Sequence, residues 1–365
     1  MDVNYKIPIG LILILTLFVN TAQAQEYRLL WSYKTGADVL SVSISSDGSY
    51  IAAGSYDDKV YMFDREGNLL WSYKTGDDVW SVSISSDGSY IAAGSRDDKV
   101  YMFDREGNLL WSYKTGDGVK SVSISSDGSC IAAGSRDNKV YMFDREGNLL
   151  WSYKTGHIVK SVSISSDGSY IAAGSWDDNV YMFDREGNLL WSYKTGGDVD
   201  SVSISSDGSY IAAGSVDNKV YMFDREGNLL WSYKTGYKVW SVAYKVWSVS
   251  ISSDGSRIVA GSWDKVYLFD RKEKLLWSYE IGWIHSVSIS SDGSYIVAGD
   301  SHYEVYLFVS VHAVQVIIEN AKEAISSVRE KGYNVKEAES LLSQAEQAFG
   351  AGDYAEAREL AYRAK

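Results

Sequence analysis

The histidines and aspartates are the side chains of this chain best suited to metal binding or acid–base catalysis. His157, His285 and His302 are far apart in sequence and have no regular spacing, so they predict no zinc site. The recurring runs DREGN and DDK carry carboxylates, but a calcium loop needs oxygens at alternate positions and a closing bidentate acid. Turn formation by Asp-Gly and Gly-Asn explains these runs better. We therefore predict no metal site and no cofactor.

Catalysis would need different groups held in distinct roles around one point. The chain instead supplies the same groups again about every forty residues, because most of it consists of near-identical units. The positions that do differ between units contain no Ser/His/Asp or paired-carboxylate arrangement. We therefore predict a protein that is not an enzyme.

These units recur seven times and must position any functional side chain. The phrase LLWSYKTG, or LLWSYEIG in the last copy, begins at Leu29, Leu69, Leu109, Leu149, Leu189, Leu229 and Leu275. SVSISSDGS begins at Ser41 in the first unit and at Ser286 in the last, and VYMF or VYLF follows it in every unit. A period near forty with four β-type runs is typical of a β-propeller blade.

The second unit predicts four strands, which we name a to d in chain order. SVSIS (81–85) alternates at period two, and Asp87-Gly88 after it is a hairpin signal. Side-chain size rises from Ser and Val in strand a, through Ala and Gly in strand b, to Trp and Tyr in strand d. A wedge-shaped blade packs without voids in this order. The strand-d Trp is predicted to fill the gap between neighbouring blades.

The strand count predicts how the ring closes. The last strand c ends near Val309 with no strand d after it, whereas Leu29 to Thr35 is a strand d with no strand c before it. We predict that this N-terminal strand completes the last blade and removes the open sheet edges. The predicted fold is all-β, a seven-bladed β-propeller over residues 25–310 followed by a helical module.

Two families resemble the repeated unit. SSDGSYIAAGSRDDKVYMFD is similar to a WD-repeat blade, although the Gly-His pair typical of that family is missing. DREGNLLWSYKTG resembles the tryptophan-docking motif of pyrroloquinoline-quinone-type propellers, with G-x-x-x-W-x-x-x-x-G intact and the D-to-G spacing one residue short. Both resemblances imply a propeller. The first implies recognition through diversified loops. The second implies an enzyme, but none of that family's acidic or metal-binding site residues can be matched here.

Nearly all differences between units fall in two windows, between strands d and a and between strands b and c. These windows are 37–40, 77–80, 117–120, 157–160, 197–200, 237–247 and 283–285, and positions 56, 96, 136, 176, 216, 263 and 300–303. Both connections emerge at one end of a four-stranded meander, which we call the variable face. The SSDG and DREGN turns form the opposite, constant face.

The variable face is rich in aromatic and basic residues. Seven of the thirteen tryptophans are strand-d residues, and the other six all lie in the variable windows. Large aromatics beside cations are typical of binding hot spots. We predict that these residues bind a partner: Tyr56, Trp80, Arg96, Lys120, Arg136, His157, Lys160, Trp176, Trp240, Trp247, Trp263, Trp283 and His285. The alternative is neutral drift, since loops tolerate change.

One irregularity enlarges a variable window. YKVWSVA (237–243) is repeated at once as YKVWSVS (244–250), and only the second copy runs into SISSDG. We predict that the second copy is strand a and that the first is an enlarged loop.

Charge and the N-terminus indicate the compartment. Acidic side chains exceed basic ones by 13, which argues against nucleic acid and anionic lipid. Lys6 precedes an apolar run over 7–19, and Ala22-Gln23-Ala24 fits a cleavage site. We predict a signal peptide over 1–24, a secreted or cell-surface location and no later transmembrane segment, with an uncleaved anchor as the alternative. The single Cys130 cannot form an internal disulfide.

The tail after Val309 changes to helical spacing, and residues 311–365 predict about three helices. Gly332 is expected to end the first helix, and Asn334 and Asp353 to cap the next two. The segment AFGAGDYAEARELA resembles a tetratricopeptide-type hairpin, but about one unit is present. The tail is interpreted as a small module or spacer, or alternatively as a partner site.

Together these features predict an exported, non-catalytic propeller that binds a protein or a glycan through the variable face. The alternatives are a pyrroloquinoline-quinone-type propeller enzyme and a purely structural cell-surface scaffold.

Overall fold

The computed structural model describes residues 27–235, 246–262, 265–281, 284–300, 304–331 and 333–365. These residues form seven antiparallel sheets of four strands each and three helices. The predicted seven-bladed propeller with a helical tail is therefore confirmed. The predicted signal peptide over 1–24 lies outside the described residues, and no helix within them is long and apolar enough to span a membrane.

Each of the first six blades contains four consecutive strands. Blade 1 has β2 (Val39–Ile44), β3 (Tyr50–Ser55), β4 (Lys59–Asp64) and β5 (Leu69–Lys74). Blade 2 has β6 (Val79–Ile84), β7 (Tyr90–Ser95), β8 (Lys99–Asp104) and β9 (Leu109–Lys114). Blade 3 has β10 (Val119–Ile124), β11 (Cys130–Ser135), β12 (Lys139–Asp144) and β13 (Leu149–Lys154). Blade 4 has β14 (Val159–Ile164), β15 (Tyr170–Ser175), β16 (Asn179–Asp184) and β17 (Leu189–Lys194).

The later blades follow the same order. Blade 5 has β18 (Val199–Ile204), β19 (Tyr210–Ser215), β20 (Lys219–Asp224) and β21 (Leu229–Lys234). Blade 6 has β22 (Ser248–Ile251), β23 (Arg257–Gly261), β24 (Lys265–Asp270) and β25 (Leu275–Glu280). Since β22 begins at Ser248, the second YKVWSV copy is the one that leads into strand a, as predicted. Its duplicate lies outside the described residues.

The N-terminal strand closes the ring. Blade 7 consists of β26 (Ile284–Ile289), β27 (Tyr295–Asp300), β28 (Glu304–Ser310) and β1 (Tyr27–Lys34), in the hydrogen-bonded order β26-β27-β28-β1. The register runs antiparallel from Tyr27 opposite Ser310 to Lys34 opposite Glu304. The predicted closure is confirmed.

A belt of serine hydroxyls joins the innermost strands of neighbouring blades. The N–H of Val82 in blade 2 donates to Oγ of Ser41 in blade 1 at 2.9 Å. The same bond recurs at every blade junction, and the ring closes where Val42 N–H donates to Ser286 Oγ at 3.2 Å. The strands a therefore surround the ring axis, and their polar alternate residues serve as inter-blade contacts.

The hydrophobic core lies between blades. Between blades 1 and 2, for example, Ala52 and Met62 pack against Val79, Ile91 and Phe103. Strand b must be small because a Cβ on Gly54 would lie 2.7 Å from Cγ1 of Val79 in the next blade. The predicted increase in side-chain size from strand a to strand d therefore agrees with the limited space next to strand b at the blade junction.

Each strand-d tryptophan docks on the next blade. The indole Nε1 of Trp71 donates to the carbonyl oxygen of Arg105 in blade 2 at 2.8 Å. Its ring covers Gly107, whose φ of 88° and 2.9 Å clearance leave no room for a Cβ. Five further pairs repeat this bond: Trp31 with Arg65, Trp111 with Arg145, Trp151 with Arg185, Trp191 with Arg225 and Trp231 with Arg271. The predicted role in filling the blade gap is confirmed.

The three helices pack at the junction of blades 7 and 1. They are α1 (Val311–Glu330), α2 (Lys336–Ala351) and α3 (Tyr354–Ala364). Val314 and Ile318 of α1 and Leu360 of α3 share one buried cluster with Val309 of β28 and with the partly buried Trp31. Side-chain contacts from α3 reach Tyr295 and Arg65, in the hairpins of the constant face. The described helix contacts therefore lie away from the variable face.

The helix caps agree with the sequence at one of two predicted sites. The carboxylate of Asp353 accepts the N–H of Glu356 at 3.0 Å and caps α3 as predicted. The α2 prediction was one residue out, because the residue before the helix is Val335, which provides no side-chain cap. Asn334 instead accepts the N–H of Lys336 at 3.2 Å in a local turn. Gly332 lies outside the described residues.

Candidate binding face

A carboxylate in the b–c connection ties together the two variable windows of its blade. Oδ2 of Asp97 accepts the N–H of Gly76 at 3.2 Å and the hydroxyl of Tyr101, and burial of Tyr101 together with this bond raises its pKa. Asp57, Asp137, Asp177 and Asp217 accept the corresponding tyrosine hydroxyls. The variable side chains therefore stand on a frame that is the same in these five blades.

One repeat position lies at the variable-face end of the innermost strand in every blade; it is the second residue of strand a in six blades and the residue just before β22 in blade 6. These residues are Leu40, Trp80, Lys120, Lys160, Asp200, Trp247 and His285. All seven lie beside the ring axis because neighbouring strands a contact one another around the ring. Otherwise repeated blades thus differ in the innermost side chains of this face.

The first cluster of variable residues crosses from blade 2 to blade 3. The ammonium nitrogen of Lys120 lies 3.1 Å from the centre of the Trp80 ring, and the guanidinium carbon of Arg136 lies 6.0 Å from it. Gly118 permits this contact, since a Cβ there would lie 2.6 Å from the indole. Three residues from different windows therefore meet on one aromatic ring.

A second cluster lies at blade 4 and its neighbour. The Lys160 ammonium lies 5.7 Å from the centre of the Trp176 ring, and His157 lies 6.2 Å from it between ring centres. The Trp176 indole donates to Oδ1 of the buried Asp200 at 3.0 Å. Asp200 is not among the thirteen residues that the sequence predicts for this face. Its alignment with Trp80 and Lys120 in the repeat is the signal that could have identified it.

A third cluster joins Trp247 to His285. Their rings meet edge to face with centres 6.3 Å apart, and His285 Nε2 lies 4.0 Å from Oδ2 of Asp38. Burial lowers the pKa of His285, and the charge of Lys160 acts in the same direction while Asp38 and Asp300 oppose it. The imidazole is therefore held towards its neutral form.

Two further described candidates, Tyr56 and Arg96, lie in b–c connections of this face. Tyr56 is exposed, and Arg96 pairs with Asp78 at 3.3 Å and with Asp77 at 3.8 Å. Trp240, Trp263 and Trp283 lie outside the described residues. Ten of the thirteen candidates are thus described, and most of them contact another candidate.

Carboxylates of Asp58, Asp77 and Asp78 also approach one another on this face, within 4.8 Å. Basic side chains accompany all three, because Lys74 lies 3.8 Å from Asp58 and Arg96 pairs with the other two. Burial raises the pKa of Asp78, chiefly because the charged carboxylate loses water. Ion pairing is sufficient to account for this group.

Family comparison agrees with the docked tryptophans of the ring. The family model described as outer membrane protein assembly factor BamB, a PQQ-like propeller, matches residues 19–126, 57–205 and 96–310 in overlapping segments. The chain belongs to this family. A search of curated proteins found no match. Within this BamB-type propeller, the recurring Trp–Gly contacts account for the PQQ-like motif, while the WD-repeat likeness remains a resemblance in sequence.

Lys120 is the electrostatically costly residue of this BamB-type propeller. Burial lowers its pKa to about 7, and the charges of Lys160, Arg136 and Arg96 act in the same direction. Asp117 opposes them only weakly, as the last of the contributing groups. The protonated ammonium is therefore destabilised in the folded protein relative to the unfolded chain.

Replacing Lys120 by methionine should make this cost visible as a pH dependence of stability. Because the folded pKa lies below the unfolded value, the cost is full below pH 7 and declines as the pH rises towards the ordinary lysine range. We expect Lys120→Met to raise Tm clearly at pH 6 and much less at pH 10, measured by circular dichroism. The exposed Lys114→Met is the matched control. An equal gain at both pH values would contradict the assignment.

Proposed function

We propose that this BamB-type propeller is an extracytoplasmic, non-catalytic protein that binds a protein partner through its variable face. The observation that carries the proposal is the Trp80 cluster, in which Lys120 and Arg136 from the next blade meet on one indole ring. These are variable positions within an otherwise repeated framework. Preformed clusters of tryptophan and arginine are typical of residues that dominate protein interfaces.

The family description supports this direction. It names an outer membrane protein assembly factor, and such a role is carried out by contact with other proteins outside the cytoplasm. The predicted signal peptide is consistent with the same location. Protein binding is therefore the preferred form of the proposal, and a glycan ligand is the alternative outcome of its test.

The distribution of acid–base groups supports a non-catalytic role. His157 is exposed in blade 4 and contacts an aromatic ring, whereas His285 lies in blade 7 beside another. The two side chains belong to different clusters, and each is explained by packing. A binding surface requires no more than this arrangement provides.

The first test is a search for the ligand on peptide and glycan arrays, followed by substitution on both faces. Trp80→Ala and Trp176→Ala should each weaken binding by at least about 2 kcal/mol, because each removes an aromatic anchor shared by two blades. Isothermal titration calorimetry would measure the change. The controls on the constant face, Glu106→Ala and Asn148→Ala, should leave the affinity unchanged.

Two outcomes would contradict the proposal. Loss of binding through the constant-face variants, with the tryptophan variants unaffected, would move the site to the other side of the ring. Failure to capture any ligand on either array would instead favour the structural scaffold. Reconstitution with pyrroloquinoline quinone, followed by an absorbance scan, tests the enzyme alternative separately.

A further inference from the structure

Among the described positions that differ between blades, the lysines and arginines of the variable face lie on three adjacent blades. Arg96 belongs to blade 2, Lys120 and Arg136 to blade 3, and Lys160 to blade 4. The equivalent positions are Tyr56 and Leu40 in blade 1 and Val216 and Asp200 in blade 5. The chain as a whole has a net charge of −13, so four basic side chains at varying positions of three neighbouring blades stand out.

Lys120 and Arg136 are the two members of this group that share one aromatic ring, whereas Lys160 lies over the ring of Trp176. Arg96 pairs with two aspartates, whereas the described close contacts of Lys120 and Arg136 are with Trp80. Lys120 is half-buried there and lies within the electrostatic reach of Arg136, Arg96 and Lys160. The cluster therefore holds like charges close together in a partly desolvated place, an arrangement that an anion would stabilise.

We infer that Lys120 and Arg136, together with the Trp80 ring, bind the carboxylates of an acidic segment of a protein partner. This inference rests on the proposed function and specifies the chemistry of the partner. Guanidinium groups bind carboxylates in a bidentate manner, and the indole supplies apolar contact for the neighbouring part of the segment.

A short acidic segment fits this surface better than a nucleic acid. The cluster offers a few cations over neighbouring blades, and the rest of the protein is strongly acidic. A long polyanion would extend beyond the cluster into that repulsive field, whereas a few carboxylates would not. Opposite charges across such a contact also accelerate association and exclude wrongly charged partners.

Binding of an acidic segment at Lys120 should depend on pH. The charged groups that act on Lys120 are Arg96 and Arg136 in the b–c connections, Lys160 in β14 and Asp117 in its own d–a connection. A bound carboxylate would raise the pKa of Lys120 from about 7, so binding takes up a proton near neutral pH. Affinity should therefore fall as the pH rises above 7, while an arginine at position 120 would remain charged.

The experiment uses the full chain and a fluorescently labelled hexaglutamate peptide, with hexaglutamine as the uncharged comparison. We expect fluorescence anisotropy to show binding of hexaglutamate but not of hexaglutamine. The affinity for hexaglutamate should fall at least about tenfold in Lys120→Gln or Arg136→Gln, and added salt should weaken it in the unsubstituted protein. The charge-matched control is the constant-face pair Lys272→Gln and Lys274→Gln, which should have little effect. Lys120→Arg should retain binding and lose the decline above pH 7.

The outcomes separate the inference from the proposed function. If hexaglutamate fails to bind while an array ligand still requires Trp80 and Trp176, the acidic-segment inference is wrong and the variable face remains a binding site. Equal binding of a single-stranded oligonucleotide of matched charge, or of hexaglutamine, would overturn the inference too. Loss of binding in the constant-face control would show nonspecific attraction and have the same consequence. Circular dichroism of every variant establishes that each is folded.

Discussion

Deleting residues 25–36 should destabilise the propeller more than any single substitution considered above, by more than about 5 kcal/mol. The deletion removes β1, whose antiparallel pairing with β28 completes blade 7. It also removes Trp31, which donates to Arg65 of blade 1 at 2.8 Å, and Tyr33, whose ring lies 4.8 Å from that of Phe63. Blade 7 would be left with three strands, an exposed edge at β28 and an uncovered side of blade 1.

The measurement is thermal unfolding of two truncated chains, one beginning at residue 27 and the other at residue 37. The first keeps β1 and should unfold close to the temperature of a chain that begins at residue 25, so it controls for the loss of the preceding segment. The second should unfold at a much lower temperature or aggregate, because an unpaired strand edge recruits other strands. The same unfolding temperature for both chains would mean that β1 does not close the ring.

The closure was predictable because it depends on counting. Seven strands a, b and c and one unpaired strand d at the N-terminus leave a single balanced arrangement, and the repeated phrases define every strand. Near-identity between the units makes the strand pattern unambiguous, because the same phrase marks each strand in several blades. The docking of Trp111 against the next blade followed similarly, because a large residue on the outermost strand needs a neighbour to cover it.

The contacts within the candidate face were not predictable to the same extent. The sequence identified the windows that contain Trp80 and Lys120, but their 3.1 Å contact depends on the rotation between two blades and on the missing Cβ of Gly118. Asp200 could not be predicted as a partner of Trp176 because a lone acidic residue at the start of a strand carries no local signal of burial.

The serine belt was overlooked for a related reason. Ser41 and its equivalents read as the polar half of an alternating strand, and alternation predicts exposure rather than a bond to the adjacent blade. The packing of α3 on Tyr295 also joins elements far apart in sequence. Local patterns predict strands well, whereas inter-blade partners follow from the ring geometry.

Trp111→Ala should cost about 3–5 kcal/mol, the second-largest effect expected in this protein. The indole of Trp111, in blade 2, donates to the carbonyl oxygen of Arg145 in blade 3 at 2.7 Å. Its ring centre lies 5.8 Å from that of Phe143, also in blade 3. Truncation therefore opens a void between blades 2 and 3 and leaves a partly buried carbonyl without its donor. Trp80→Ala is the control, since its ring lies on the variable face against the side chains of Lys120 and Arg136, and it should cost much less.

Gly147→Ala gives an independent view of the same contact. Gly147 has a φ of 88°, and a Cβ there would lie 2.8 Å from the Trp111 ring, so the substitution should cost roughly 1–3 kcal/mol. In the double variant the clash with the indole is absent and only the backbone strain remains. The double variant should therefore lose less stability than the two single variants added together. Urea unfolding of the unsubstituted chain, the two single variants and the double variant would measure this coupling. Equal losses of stability for Trp111→Ala and Trp80→Ala would contradict the assignment of the strand-d tryptophans to the scaffold and of the variable tryptophans to the binding face. Strict additivity of Trp111→Ala and Gly147→Ala would contradict the scaffold contact between these two residues.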